Sequence, residues 1–260
     1  MSVTKRKIIV TGGAGFIGSA FIRYFLEKND VEILNIDKLS YACNPFSLEH
    51  VKSLSAYQFL QIDISKEKAI EDLIATFKPD SIIHFAAESH VDRSISSPKD
   101  FIFSNIVGTF NMLEASTAYF KKLNSRDQKR FRFIHISTDE VFGSLNEKGY
   151  FDEHSRYKPN SPYSASKASS DHLVRAWNKT YGLPILITNC SNNFGPFQNE
   201  EKLIPMCIKN ALSHKKISIY GNGLQVRDWL FVDDHIRAIE LVLNKGIVGE
   251  TYNIGASNDI

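Results

Sequence analysis

Cysteine is scarce in this 260-residue chain: Cys43, Cys190 and Cys207 are all it has. Three widely spaced thiols build neither a disulfide framework nor a CxxC metal site, so no metal is expected and reduced thiols in the cytoplasm are the expectation. Long apolar runs are missing too. No stretch approaches the ~18 apolar residues that span a bilayer. The basic start, Met1 to Lys7, leads into an apolar run that Gly12, Gly13 and Gly15 interrupt, which is not a signal peptide. An excess of one charge is absent as well. Lys plus Arg number 31 against 29 Asp plus Glu, a balance of +2, and no block of five or six like charges occurs. That leaves no nucleic-acid arm and no polybasic membrane anchor.

What remains is an ordinary globular composition, with 43% hydrophobic and 23% charged residues. The length suits one large domain or two modest ones, and a sizeable core. Short β-branched runs alternate with longer stretches of helical spacing. Strands are expected at 7–11, 32–37, 57–62, 81–85, 131–137 and 184–190, and helices at 16–27, 69–77, 98–120 and 161–181. Such alternation makes right-handed βαβ units and an α/β fold, a doubly wound parallel sheet covered on both faces. After residue 190 the rhythm changes. A loop at 193–199 precedes helices at 203–214 and 232–244 and strands at 217–220 and 251–254. Residues 1–190 are expected to form the dinucleotide-binding domain, and 191–260 a smaller substrate-binding region over the sheet's carboxyl edge.

The run Thr11-Gly12-Gly13-Ala14-Gly15-Phe16-Ile17-Gly18 joins the first strand to the first helix. Gly12 permits the tight turn, Gly15 lets a pyrophosphate approach the backbone, and Gly18 allows close helix packing. The helix N-terminus offers free N–H groups to the phosphates. Asp37 ends the second strand about 20 residues later, where a carboxylate takes the ribose hydroxyls and repels a 2′-phosphate; this favours NAD over NADP. Asp63 and Ile64 could flank the adenine. Further on, Tyr163 and Lys167 stand four apart on one helix face, behind Ser137-Thr138 at the end of the fifth strand. An ammonium beside a phenol is expected to lower the tyrosine pKa towards that of a useful base.

These pieces, with His84-Phe85-Ala86-Ala87, resemble the extended short-chain dehydrogenase/reductase family and its Rossmann-like sheet. Asp139-Glu140 after Ser137-Thr138 resembles that family's dTDP-glucose 4,6-dehydratase branch. So do Glu88-Ser89-His90-Val91-Asp92-Arg93, Ser161 to Ala168, Asn189 to Pro196, and Arg227 to His235.

The resemblance implies oxidation of a nucleotide sugar at C4, loss of water across C5 and C6, and hydride return to C6, with NAD retained. Tyr163 would take the 4-hydroxyl proton, Thr138 would bond that hydroxyl, Glu140 would be the C5 base and Asp139 the acid. It adds Phe16, Ile17, Lys38, Ser40, Phe85, Ala86, Ala87, Ser89, Asn105, Ser137 and Cys190 to the cofactor site. It assigns Ser89, His90, Asn192, Lys202, Leu203, Tyr220, Asn222 and Arg227 to the sugar nucleotide, and it implies a homodimer through the helices at 98–120 and 161–181. Cys43 departs from the glycine usual in that family. Family members continue several dozen residues past Ile260, so the substrate region is expected to be incomplete at its C-terminal end. An epimerase, a dehydratase of UDP- or CDP-glucose, and a non-catalytic NAD-binding protein remain as alternatives.

Overall fold

The computed structural model describes residues 5–28, 30–66, 68–145, 149–217 and 222–257. Seven parallel strands form the central sheet: β1 (Arg6–Thr11), β2 (Val31–Asp37), β3 (Tyr57–Gln61), β4 (Ser81–His84), β5 (Arg132–Thr138), β6 (Ile185–Cys190) and, last in the chain, β9 (Thr251–Ile254). Their order across the sheet is β3-β2-β1-β4-β5-β6-β9. The reversal of direction beside β1 creates the crevice in which doubly wound sheets bind ligands. Parallel register sets the strand ends side by side: Thr11 pairs with Ile36 and His84, and Thr138 with Cys190.

Successive side chains of each strand go to opposite faces, so the sheet builds two cores. Ile8, Val10, Ile33, Ile83, Ile134 and Leu186 pack under α1 (Phe16–Glu27) and α9 (Val232–Lys245). Ile9, Leu34, Ile82, Phe133, Ile185 and Ile187 pack on the other face. They meet α2 (Lys68–Phe77), α5 (Gly108–Lys122) and α7 (Pro162–Tyr181). Among the described residues no helix is long and apolar enough to cross a membrane.

The expected division at residue 190 does not coincide with a break in the sheet. β9 hydrogen-bonds along β6 from Ile187↔Thr251 to Cys190↔Ile254, and Tyr24 on α1 donates to Glu240 on α9 at 2.6 Å. Residues 232–254 therefore complete the main sheet. What stands over its carboxyl edge is the stretch between, with α8 (Leu203–Leu212) and a parallel pair, β7 (Asn192–Phe194) and β8 (Trp229–Phe231). Three-residue strands have too little periodicity to be read in sequence. The helix from 203 stops two residues early, where His214 turns to a φ of +52°. Of the strand expected at 217–220, Ile217 lies in no regular element and the rest is outside the described residues. Two short helices, α3 (Val91–Ser96) and α6 (Ser125–Arg130), were not expected from the sequence.

The helix expected at 98–120 is α4 (Pro98–Phe101), a π-helical stretch (Ile102–Val107) and α5 in succession. The wider turn frees the Asn105 carbonyl, which accepts from Thr109 Oγ1 and from Ser170 Oγ on α7, each at 2.6 Å.

α7 begins with a capping box: Ser161 Oγ accepts from Ser164 N at 3.0 Å, and Ser164 Oγ accepts from Ser161 N at 2.9 Å. Pro162 follows at the first helical position, and Gly182 closes the helix at a φ of +72°. Ser161→Ala removes this start and should cost about 1 kcal/mol of stability, read as a lower denaturant midpoint with unchanged slope.

Candidate active site

Above the strand ends lies a cavity of about 440 Å³, lined from Gly12, Gly15 and Gly18 at one side to Arg227 and Trp229 at the other. Gly12 holds a φ of +72°, and a Cβ there would fall 2.6 Å from Ala86 N. A Cβ on Gly15 would meet only Gly12 O, at 3.3 Å, so its open side faces the cavity. The first turn of α1 has no side-chain cap, which leaves its N–H groups for a ligand. Gly18 makes room for the turn itself, since its Cβ would meet Gly12 O at 2.4 Å. The glycine that admits the second strand is Gly13, whose Cβ would strike Asn35 Oδ1 at 2.3 Å. A bare turn, an uncapped helix start and an acid on the next strand fit the pyrophosphate and ribose of NAD.

At the adenosine side, Asp37 is buried and accepts from Ala14 N at 2.9 Å and Leu39 N at 2.8 Å. It also meets Cys43 Sγ at 3.6 Å. Burial and that carboxylate push the Cys43 thiol up to about 12, so it remains protonated and serves as a donor. Ser40 lines the cavity and accepts from Cys43 N through its carbonyl at 3.1 Å. Lys38 ion-pairs with buried Glu88 at 2.6 Å and donates to Ser104 Oγ at 2.8 Å. Asp63 and Ile64 both line the cavity. Burial pushes the Asp63 carboxyl up, yet two bonds from Ser65 together with Lys38 and Lys66 outweigh it and hold the group below its ordinary range. Phe16, Ile17, Phe85, Ala86 and Ala87 complete this wall. Asn105 does not line it. Fully buried, it grips Glu88 by both backbone groups, at 2.8 and 3.0 Å, and so shapes the wall from behind.

At the other end, β5 delivers Thr138, and a 3₁₀ turn (Asp139–Phe142) follows at once. Thr138 Oγ1 accepts from Glu140 N and donates to Asp139 Oδ1, both at 3.2 Å. Burial raises the Asp139 carboxyl to about 6. Glu140 is raised as well, by burial first and then by Asp139. Tyr163 is 8% exposed and lines the cavity beside Thr138. The expected lowering of its pKa is not produced by the protein's own groups. Burial and then Glu140 push it well above 10. The Lys167 ammonium, itself lowered by burial, donates to Ile136 O at 2.8 Å. A depressed phenol therefore requires a cation bound beside it. Cys190 lines the same corner with its thiol raised to about 12 by burial. Ser137 reaches the cavity while its hydroxyl donates to Asp171 Oδ2 at 2.9 Å.

Ser89, His90, Asn192, Lys202, Leu203 and Arg227 all line the cavity. Lys202 caps α8 without a side-chain bond to it and donates instead to Ser89 O at 3.1 Å. Asn222 is exposed, bonds Leu224 N at 3.2 Å and does not line the cavity; Tyr220 lies outside the described residues. Sequence reading missed Tyr41, Asn193, Gln198, Asn199, Glu201 and Trp229. Arg93 ties two of them at the rim, stacking 3.7 Å from the Tyr41 ring and donating to Glu201 at 2.5 Å. No spacing marks these residues, because Asn193 and Trp229 sit on three-residue strands and the others on loops that meet only over the folded sheet edge.

A glycine turn, an acid at the end of the second strand, and Tyr163 with Lys167 across one cavity define an enzyme of the extended short-chain dehydrogenase/reductase class. The family model described as GDP-mannose 4,6 dehydratase matches residues 9–260, and the chain belongs to that family. A dTDP-glucose 4,6-dehydratase of Neisseria meningitidis is 55% identical over 255 residues, covering 98% of this chain and 72% of that protein. The crystal structure of a Streptomyces venezuelae dTDP-glucose 4,6-dehydratase with NAD bound superposes at a TM-score of 0.91. It is 41% identical, covering 98% of this chain and 77% of that one. A UDP-glucuronic acid 4-epimerase of Bacillus cereus, solved with NAD, superposes at 0.87 with 30% identity over 98% of this chain and 79% of that one.

The raised Asp139 pKa has a thermodynamic consequence. Between about pH 4 and 6 the folded chain holds a proton there that the unfolded chain has released, so stability falls as pH rises through this window. Asp139→Asn should raise stability at pH 7 by roughly 1–3 kcal/mol and flatten that slope, read from urea unfolding at several pH values.

Proposed function

We propose that this chain converts dTDP-glucose to dTDP-4-keto-6-deoxyglucose, retaining NAD through turnover. The observation that carries this is the pair Asp139 and Glu140 directly after Thr138: Glu140 lines the cavity with Thr138, Tyr163 and Lys167, while Asp139 does not line it and instead accepts from the Thr138 hydroxyl at 3.2 Å. An epimerase shares the fold almost equally well, so the sheet does not choose the reaction. Two acids beside the oxidation site are what an elimination needs.

Bound NAD supplies reversible hydride acceptance from the sugar. Thr138 bonds the 4-hydroxyl and Tyr163 takes its proton, while Lys167 holds the nicotinamide ribose. Once C4 is a ketone, the C5 hydrogen is acidic and Glu140 removes it. Asp139, which burial keeps protonated to about pH 6, gives its proton to the departing 6-hydroxyl, which leaves as water. Glu140 returns its proton to C5. Each turnover leaves Tyr163 with one proton more and Asp139 with one fewer, and Thr138, beside Tyr163 in the cavity wall, is hydrogen-bonded to Asp139. Arg227 and Lys202 supply positive charge for the diphosphate at the cavity's far side.

A homodimer and a cytoplasmic setting go with this reading. Ile102, Phe103, Phe110 and Tyr181 are 38–48% exposed on the two long helices, an apolar face suited to a second copy. Cys43, Cys190 and Cys207 are unpaired, as in a reducing compartment.

Incubation with NAD and dTDP-glucose should give a product lighter by one water; its absence, with UDP- or CDP-glucose accepted instead, would reassign the base. Glu140→Gln should keep NAD affinity and lose about 10²–10⁴-fold in product formation. Full turnover in that variant would remove the C5-base role. Phe103→Glu should move the gel-filtration mass from two chains to one.

A further inference from the structure

Beneath the catalytic end of the cavity lies a carboxylate that the reaction does not use. Asp171 stands one helical turn after Lys167 on α7 and has no exposed surface. Its Oδ2 accepts from Ser137 Oγ at 2.9 Å, Tyr157 OH at 2.7 Å and Asn189 Nδ2 at 3.4 Å. Its Oδ1 lies 3.1 Å from His135 Nε2. Burial alone pushes the Asp171 pKa up, but these partners and Lys167 reverse the shift and keep it ionised.

Lys167 is buried to the same depth. Burial lowers its pKa, and Asp171 is the first group that opposes this, followed by Cys190. His135 on β5 sits between the two, its Nε2 3.5 Å from Lys167 Nζ. It is pushed down to about 4, by burial first and then by Lys167, so it is neutral near pH 7. On its far side it stacks on His84 at 5.4 Å. The other groups facing this cluster are Cys190 on β6 and Arg175, whose Nη2 donates to Tyr157 OH at 2.8 Å.

A neutral imidazole carries one proton. On Nδ1, which has no partner, it would bond nothing and would turn the Nε2 lone pair on Asp171 Oδ1. On Nε2 it faces the carboxylate: Asp171 Oδ1 lies 3.1 Å away and has no hydrogen bond of its own. The same nitrogen then cannot accept from Lys167. Ile136 O is left as the ammonium's bonded acceptor below, and its other N–H groups are directed to the cavity that Lys167 lines.

We propose that Asp171 is a positioning residue for Lys167: it supplies the buried counter-charge that keeps the ammonium protonated, and it fixes His135 as the Nε2–H tautomer, so that Lys167 keeps two N–H donors for the ligand in the cavity. This rests on Lys167 holding the cofactor ribose, as in the proposed function.

Two spectroscopic measurements test it without turnover. Nitrogen NMR of the histidine-labelled chain should show His135 neutral with its proton on Nε2 across pH 5–8; a proton on Nδ1 would overturn the proposal. Carbon NMR of labelled lysines, with Lys167→Met to assign the signal, reads the ammonium titration. Asp171→Asn should lower its midpoint by about one pH unit or more, a tenfold loss of proton affinity. Tyr157→Phe removes one donor and keeps the charge, so it should shift the midpoint by less than half as much. An unmoved midpoint in Asp171→Asn, or equal shifts in the two variants, would refute the counter-charge role. Should Asp171→Asn fail to fold, the tautomer in the natural sequence still decides. Lack of product from the natural chain would refute the dehydratase reading alone, since neither spectrum depends on it.

Discussion

Parallel pairing is the constraint from which the rest of the molecule follows. Because β1, β4, β5 and β6 run in one direction and in aligned register, Thr11, His84, Thr138 and Cys190 arrive at one edge of the sheet. Every loop that leaves that edge opens on the same space. The glycine turn after β1, the wall after β4 and the acid pair after β5 are thereby neighbours, although they are far apart in sequence. Parallel strands also need both faces covered, and the helices that cover them bring Tyr163 and Lys167. Site and core are products of one topology.

Concentrating polar groups at such an edge is costly. Asp139, Glu140, Tyr163 and Lys167 are all displaced by burial towards their neutral forms. The structure offsets this unevenly. Asp171 is surrounded by donors and stays charged, whereas Asp139 has one hydroxyl and stays protonated to about pH 6. Two carboxylates on adjacent elements thus hold opposite protonation states for reasons of hydrogen bonding, with burial common to both. A chain made only for stability would carry neither.

The sequence disclosed much of this because strand ends are legible. A β-branched run with glycines or acids after it marks both the sheet and its carboxyl edge, so Gly12, Asp37, Thr138 and Asp139 could be placed without coordinates. The helix at 16–27 was legible to the residue. Less legible was anything settled by a partner remote in sequence. Asn105 reads as a cofactor ligand but grips the Glu88 backbone. Asn222 reads as a sugar contact but turns to its own loop. The pairing of β9 with β6 was hidden because a four-residue strand carries no label for the sheet it joins. Asp171 went unnoticed since an acid on a helix is ordinarily solvated, and nothing in α7 announces that Ser137, Tyr157 and Asn189 converge on it.

The π-helical stretch at Ile102–Val107 has a consequence for how this protein can vary. It holds one residue more per turn than the α-helix on either side. The surplus residue is taken up within the turn, so the chain enters and leaves it in nearly the same helical phase. Losing one residue there would restore a regular ladder and leave the helices on either side in place. What would go is the widened turn, and with it the freed Asn105 carbonyl that accepts from Ser170 Oγ. The length of this stretch can therefore change by one residue without moving the fold, at the cost of a tie between the cavity wall and α7.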